Sequence, residues 1–153
     1  MQITKAEKSD LTQILKLQYL AYQSEAKLYN DYSIPPLKQT LEELHQEYEK
    51  SLILKATDES GEIIGSVRAY TDNGTAYIGR VIVHTNRQGQ GIGTKLINTV
   101  ERESSATRYE LFTGSKSAKN LRLYEYLGYK RFREQEVANG LILVYLEKYA
   151  GDL

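Results

Sequence analysis

Apolar positions change period several times along this chain, and each change marks an element. Gln2 to Lys5 reads as a short strand. Leu11, Ile14, Leu15 and Gln18 then recur at helical spacing and Tyr22 continues the stripe, which predicts a helix from Leu11 to about Leu28. Ser9 and Asp10 offer caps for it, with Gln13 three after Asp10 as in a capping box. Asp31 to Pro36 carries no pattern, and Pro35-Pro36 is expected to break any helix there. Thr40 and Glu43 form a second capping box, and Leu41, Leu44 and Tyr48 share one face of the helix that follows.

Strand-like runs come next. Leu52 to Thr57 ends at the turn Asp58-Glu59-Ser60-Gly61, and Ile63 to Thr71 faces Thr75 to Val83 across Asn73-Gly74. Asn-Gly between two such runs is a strong hairpin signal. Ile92, Leu96, Ile97 and Val100 mark a helix reaching about Ala106. Tyr109 to Thr113 is a strand, and Leu121, Tyr124 and Leu127 suggest a short helix ended by Gly128. Tyr129–Val137 and Leu141–Lys148 read as a last hairpin around Asn139-Gly140, with Gly151 to Leu153 expected to fray. The order is β-α-α-β-β-β-α-β-α-β-β. The fold class is α/β (α+β), with a mixed, mostly antiparallel sheet flanked by helices. No repeat or linker interrupts it, so residues 1–153 are expected to form one domain.

Composition narrows the chemistry. Twenty Lys+Arg balance twenty Asp+Glu. No global field points to nucleic acid or an anionic membrane. Cysteine is absent, which excludes disulfides, a thiolate nucleophile and sulfur-ligated metal. No metal is expected. The first residues are no signal peptide, and no apolar run approaches the roughly 20 residues of a membrane span, so a cytoplasmic location is expected. Thirteen tyrosines against two phenylalanines fit amphipathic core-edge positions, ring buried and hydroxyl wet.

The densest signal is Ile82 to Leu96, where a strand runs through Arg87-Gln88-Gly89-Gln90-Gly91-Ile92-Gly93 into a helix. Glycines let the backbone approach an anion, and the free N–H groups of a first helical turn point at it. A P-loop needs Gly-x-x-x-x-Gly-Lys-Ser/Thr, but here Thr94 precedes Lys95 and only three residues separate Gly89 from Gly93. A dinucleotide fingerprint needs Gly-x-Gly-x-x-Gly, and the strand here ends a hairpin instead of opening a βαβ unit. The pattern that fits is Gln-x-x-Gly-x-Gly, met by Gln88, Gly91 and Gly93.

With that loop, and with Asn120-Leu121-Arg122-Leu123-Tyr124-Glu125-Tyr126-Leu127-Gly128-Tyr129 downstream, the chain resembles the GNAT superfamily of N-acetyltransferases over essentially its whole length. The resemblance implies acetyl-coenzyme A as acyl-donor cosubstrate. Backbone groups of Gln88, Gly89, Gln90, Gly91, Gly93 and Thr94 would hold its pyrophosphate. Val81 and Val83 would bind its pantetheine arm by backbone hydrogen bonds, with an N–H near Val83 polarising the thioester carbonyl. Tyr124 would be the general acid to the departing thiolate. The family often has an asparagine seven residues before this tyrosine. Ser117 stands there instead, with Asn120 one turn later, and either could contact the cofactor.

The resemblance further implies transfer to a primary amine, small-molecule or peptide, and allows a homodimer. The general base stays open between Glu110, His84 and a water chain. Glu25, Tyr29, Asp31 and Tyr32 are candidates to line the acceptor side. The alternative function is a non-catalytic acyl-coenzyme A-binding module.

Overall fold

The structure is a computed structural model that describes residues 1–138 and 140–151. The expected turn residue Asn139 and the last two residues, 152 and 153, lie outside the described residues.

Seven strands form one sheet, in the spatial order β1-β2-β3-β4-β5-β7-β6. They are β1 (Gln2–Lys5), β2 (Leu52–Thr57), β3 (Ile63–Asp72), β4 (Thr75–Val83), β5 (Arg108–Gly114), β6 (Lys130–Ala138) and β7 (Leu141–Tyr149). Every neighbouring pair is antiparallel except β4 with β5. The expected mixed, mostly antiparallel sheet is therefore present. Asn73 and Gly74 take φ of 48° and 80°, the left-handed pair that a tight hairpin turn between β3 and β4 requires.

Among the described residues six α-helices cover the sheet: α1 (Leu11–Ala21), α2 (Gln23–Tyr29), α3 (Pro35–Lys38), α4 (Leu41–Lys50), α5 (Ile92–Ser104) and α6 (Ala118–Tyr126). Leu11, Ile14, Leu15 and Leu17 of α1 and Leu44 of α4 pack on Ile53, Ile63 and Ile82 on one face. Ile92, Leu96, Ile97 and Val100 of α5, with Leu121 and Tyr124 of α6, pack on Val67, Ile78, Leu111, Val144 and Leu146 on the other. Covered on both sides, β3 is buried continuously from Ile63 to Ala69, Ser66 and Arg68 included.

The first half departs from the sequence pattern in four places. The single helix expected over Leu11 to Leu28 is two, because Tyr22 leaves helical geometry with ψ near 1°. Pro35 and Pro36 open a helix instead of breaking one. At the first helical positions a missing N–H costs nothing and the fixed φ is already helical. Asp10 makes no side-chain cap to α1. Its carboxylate accepts from the Glu7 N–H at 2.8 Å and closes a box around the preceding 3₁₀ turn. Leu41 is exposed, since only Leu44 and the half-buried Tyr48 of its face reach the core. The Thr40–Glu43 box forms as read. Glu43 N–H donates to Thr40 Oγ1 at 3.1 Å, and Thr40 N–H donates to Glu43 Oε1 at 2.8 Å.

Candidate functional site

The parallel β4–β5 pairing is short, and that creates the site. It joins Thr75–Tyr77 to Arg108–Glu110 and goes no further. Beyond it β4 stays paired to β3, as in Ser66 with Ile82 and Gly65 with Val83, and β5 stays paired to β7 as far as Gly114. The strands thus leave a wedge. Along one wall runs the β4 edge bearing Val81 and Val83, whose backbone groups on that side have no strand partner among the described residues. An extended chain could add to this edge.

A bulge distorts this wall. Ser66 faces Ile82 and Arg68 faces Gly79, so Val67 alone opposes both Arg80 and Val81. Arg80 takes φ of 51°, a left-handed conformation costing a non-glycine residue roughly 1 kcal/mol or more. The bulge directs the Arg80 guanidinium over the Tyr22 ring, 6.0 Å from its centroid.

At the wide end of the wedge lies the glycine turn. His84 caps a 3₁₀ turn over Thr85–Arg87, its Nδ1 accepting from the Asn86 N–H at 3.1 Å. Arg87 pairs with Asp58 at 2.8 Å, which ties it back to the sheet. Gly89 and Gly91 have φ of 80° and 78°, so glycine is needed for the backbone path itself. Gly91 is the N-cap of α5 and offers no side chain. The first bond back into the helix is Lys95 N–H to the Gly91 carbonyl, at 3.1 Å. The N–H groups of Ile92, Gly93 and Thr94 therefore have no acceptor in the helix, and the positive end of a thirteen-residue helix faces outward. A Cβ on Gly93 would sit 3.5 Å from Leu123 and 4.0 Å from Val83, so this residue also joins α5 to α6 and β4. Gln88 Oε1 accepts from Lys119 Nζ at 3.4 Å. Lys119 thus brings a cation from the start of α6 to the loop. Nothing in the local sequence flagged it, because the contact spans thirty-one residues.

The other wall is α6. Ser117 precedes its first turn, and Asn120 and Tyr124 follow at three and seven residues, a helical spacing that puts all three on one face. Asn120 Nδ2 donates to Thr113 Oγ1 at 3.3 Å. The C-terminus of α6 is pinned by the Schellman pattern: Tyr129 N–H donates to the Tyr124 carbonyl and Gly128 N–H to that of Glu125, at 3.0 and 3.1 Å. Gly128, with φ of 99°, supplies the left-handed position. Tyr124 is 5% exposed. Burial raises its hydroxyl pKa far above the ordinary 10.0, and the charges of Tyr22 and Glu25 raise it further. It therefore stays protonated throughout the physiological range.

The α1–α2 break closes the site from above. Ser117 Oγ donates to Glu25 Oε2 at 2.7 Å, across ninety-two residues. The hydroxyl of Tyr29 accepts from the Lys116 N–H at 2.8 Å and lies where any side chain on Gly114 would collide with it. Tyr22 sits among Arg80, Glu25 and Arg68. Burial raises its hydroxyl pKa, and the two guanidiniums oppose that rise. Tyr22 and Arg80 escaped the sequence reading because each looks like an ordinary element residue. The further acceptor candidates spread out. Tyr32 is exposed, and Asp31 bonds Ser33 and borders a shallow cavity of about 310 Å³ with Tyr29, Lys116 and Leu141. Glu110 is taken up by Arg108, at 3.0 Å. Among the described residues no three His, Cys, Asp or Glu gather as metal ligands, and no helix is long and apolar enough to cross a membrane.

The family model for the acetyltransferase (GNAT) domain matches residues 20–150. No curated protein matches the sequence. Among solved structures, the chain is similar to the PaiA N-acetyltransferase of Thermoplasma acidophilum in complex with coenzyme A, at 16% identity and a TM-score of 0.78, covering 97% of this chain and 98% of that one. It is similar to the ribosomal-protein-alanine N-acetyltransferase of Brucella melitensis, at 21% identity and 0.76, covering 97% and 99%. It is also similar to yncA, a putative acetyltransferase of Salmonella typhimurium solved with its cofactor acetyl-CoA, at 20% identity and 0.75, covering 97% and 93%. At these identities the likeness is one of fold.

Proposed function

This chain belongs to the GNAT acetyltransferase family, and on that premise we propose that it moves an acetyl group from acetyl-coenzyme A to a primary amine by direct attack. Residues 1–153 act as one catalytic domain. What supports the proposal is Tyr124, a buried and firmly protonated hydroxyl on α6, the helix whose Leu123 lies against Gly93 as Val83 of the unpaired β4 edge does.

The donor would enter the wedge as an added strand. Its pyrophosphate would meet the N–H groups at the start of α5 and the backbone of Gln88 to Thr94, with Lys119 adding a positive charge. Its pantetheine arm would bond the backbone at Val81 and Val83. Ser117 and Asn120 would flank the arm from α6. Acetyl-coenzyme A supplies the activated acyl group.

The amine, once neutral, attacks the thioester carbonyl carbon, and a β4 N–H near Val83 stabilises the oxyanion. Collapse of the tetrahedral intermediate breaks the C–S bond. The leaving sulfur takes the Tyr124 proton, and the proton released by the attacking nitrogen restores the tyrosine. A thiol has an ordinary pKa near 8.5, below that of a buried tyrosine. The same burial that holds Tyr124 protonated also destabilises a thiolate, so the proton affinity of the leaving sulfur rises within the wedge as well.

Acetyl-coenzyme A turnover over a panel of primary amines, wild type against Tyr124→Phe, tests the proposal. Turnover that collapses in the mutant while coenzyme A still binds supports it. An unchanged rate and pH profile removes Tyr124 from the reaction. Tight binding with no turnover of any amine by the wild type would leave a non-catalytic acyl-coenzyme A-binding module.

A further inference from the structure

Arg80 is the most anomalous charged residue of the structure. It sits on a strained bulge, and its Nε, like that of Arg68, is shielded from solvent with no hydrogen-bond partner among the described residues. Nor does its guanidinium join an ion pair among those residues. Arg68, its neighbour across the bulge, is bound: Nη1 pairs with Glu47 Oε2 at 2.6 Å and donates to Gln39 Oε1 at 3.1 Å, and Nη2 donates to Gln18 Oε1. Glu25 stands opposite. It lies in the first turn of α2, three residues after Tyr22, and Ser117 holds its carboxylate over the face of α6 that carries Tyr124. It too lacks an ionic partner among the described residues. Tyr22 lies between, with Arg80 over its ring.

The charges around Tyr22 are thus two guanidiniums, Arg68 and Arg80, and two carboxylates, Glu47 and Glu25. Arg68 and Glu47 neutralise each other. One cation and one anion remain, both beside Tyr22 and not paired with each other among the described residues. A dication would leave its second charge unpaired there and would face Arg80, whereas a zwitterion would pair both remaining groups and keep the site neutral.

We infer that the acceptor is a small zwitterionic amino acid, its ammonium received by Glu25 and its carboxylate by the guanidinium of Arg80. The inference rests on the acetyltransferase reading above and names the substrate class for that site. Arg80 is then a specificity-determining residue. The planar guanidinium offers a carboxylate two parallel N–H donors, and the bulge is the device that turns it out of the sheet. Strain held at such a position is expected where it serves binding.

The test uses the full chain with acetyl-coenzyme A and matched acceptors: L-alanine against L-alaninamide, and L-lysine against L-lysinamide and cadaverine. Wild type should favour the free carboxylates over their amides by about tenfold or more in kcat/KM, as for a lost buried charge pair. Arg80→Gln should bring that ratio to about one, with coenzyme A affinity by calorimetry within about twofold of wild type. Arg80→Lys, which keeps the charge without the fork, should fall between. Thermal unfolding of both variants shows that they are folded. Equal rates for acids and amides in wild type, or a preference that survives in Arg80→Gln, overturn the inference while leaving the acetyltransferase reading intact. Absence of turnover with every amine overturns both.

Discussion

Two buried polar clusters share one core, their Tyr129 and Tyr124 rings 6.3 Å apart, and they are built on opposite principles. At the closed end, Glu101 of α5 meets Lys148 of β7 and Tyr129. Lys148 Nζ donates to both carboxylate oxygens at 3.0 and 3.1 Å, and the Tyr129 hydroxyl donates at 2.6 Å. Charge and hydrogen-bonding capacity are matched within the chain. At the open end, Tyr22, Glu25, Arg80 and Tyr124 come together, and the Nε atoms of Arg80 and Arg68 are left without a partner. Burying charge is costly unless it is paired. A cluster that is complete by itself serves the fold, and one that is incomplete awaits a ligand.

The contrast predicts that mutations divide by consequence. Tyr124→Phe should have the largest effect, lowering turnover by roughly 10²- to 10⁴-fold, the usual range for a general acid. Thermal stability should hardly change, because the ring stays. A rate within a few-fold of wild type by thiol-release assay would end the contrast at that residue.

Lys148→Met should do the reverse. It leaves Glu101 buried without its cation and should cost about 3–5 kcal/mol, seen as a fall in urea midpoint. The KM for acetyl-coenzyme A, measured where the variant is folded, should stay put. Adding Glu101→Leu should recover part of the loss, since it removes the stranded charge.

Alkaline pH should strain both clusters together. Burial comes first in raising the pKa of Tyr129, with its hydrogen bond to Glu101 and that carboxylate's charge adding to it. Tyr124 is raised too. Both hydroxyls keep their protons in the folded state after the unfolded chain has begun to lose them at the ordinary 10.0. Stability is therefore fully present below that pH and falls above it, by up to about 1.4 kcal/mol per pH unit for each tyrosine. Urea titrations at rising pH should show the fall, and Tyr129→Phe should make it shallower.

A modest effect on the fold is expected at the glycine turn. A Cβ on Gly91 meets nothing within 4 Å, so Gly91→Ala is resisted only by its φ of 78°, at about 1–2 kcal/mol. Calorimetry should show coenzyme A affinity falling more than stability does. Equal losses would make the turn a structural feature alone.

How legible each region was in the sequence follows from where its contacts lie. The hairpin at Asn73-Gly74, the Thr40–Glu43 box and the Gly128 cap are local devices, set by residues a few positions apart, and each formed where the pattern placed it. The glycine turn was legible for the same reason, since its φ values and the helix that follows are encoded within six residues. The α1–α2 break was not. Leu11 to Leu28 is helical by period, and the interruption at Tyr22 accompanies a contact with Arg80 of β4, about sixty residues away along the chain. Arg80 was equally hidden, because a bulge depends on register with β3 and leaves no local mark.

From its sequence alone, then, this protein determined its elements, its mixed sheet and a phosphate-accepting turn, because periodicity, caps and turn residues act over short stretches of chain. Tertiary structure alone decided where β4 and β5 part, which carboxylate faces Tyr124, and which arginine is left unpaired. Those features arise from pairing register and from contacts such as Ser117 with Glu25, ninety-two residues apart. Charges are balanced or stranded only once the chain has closed around them.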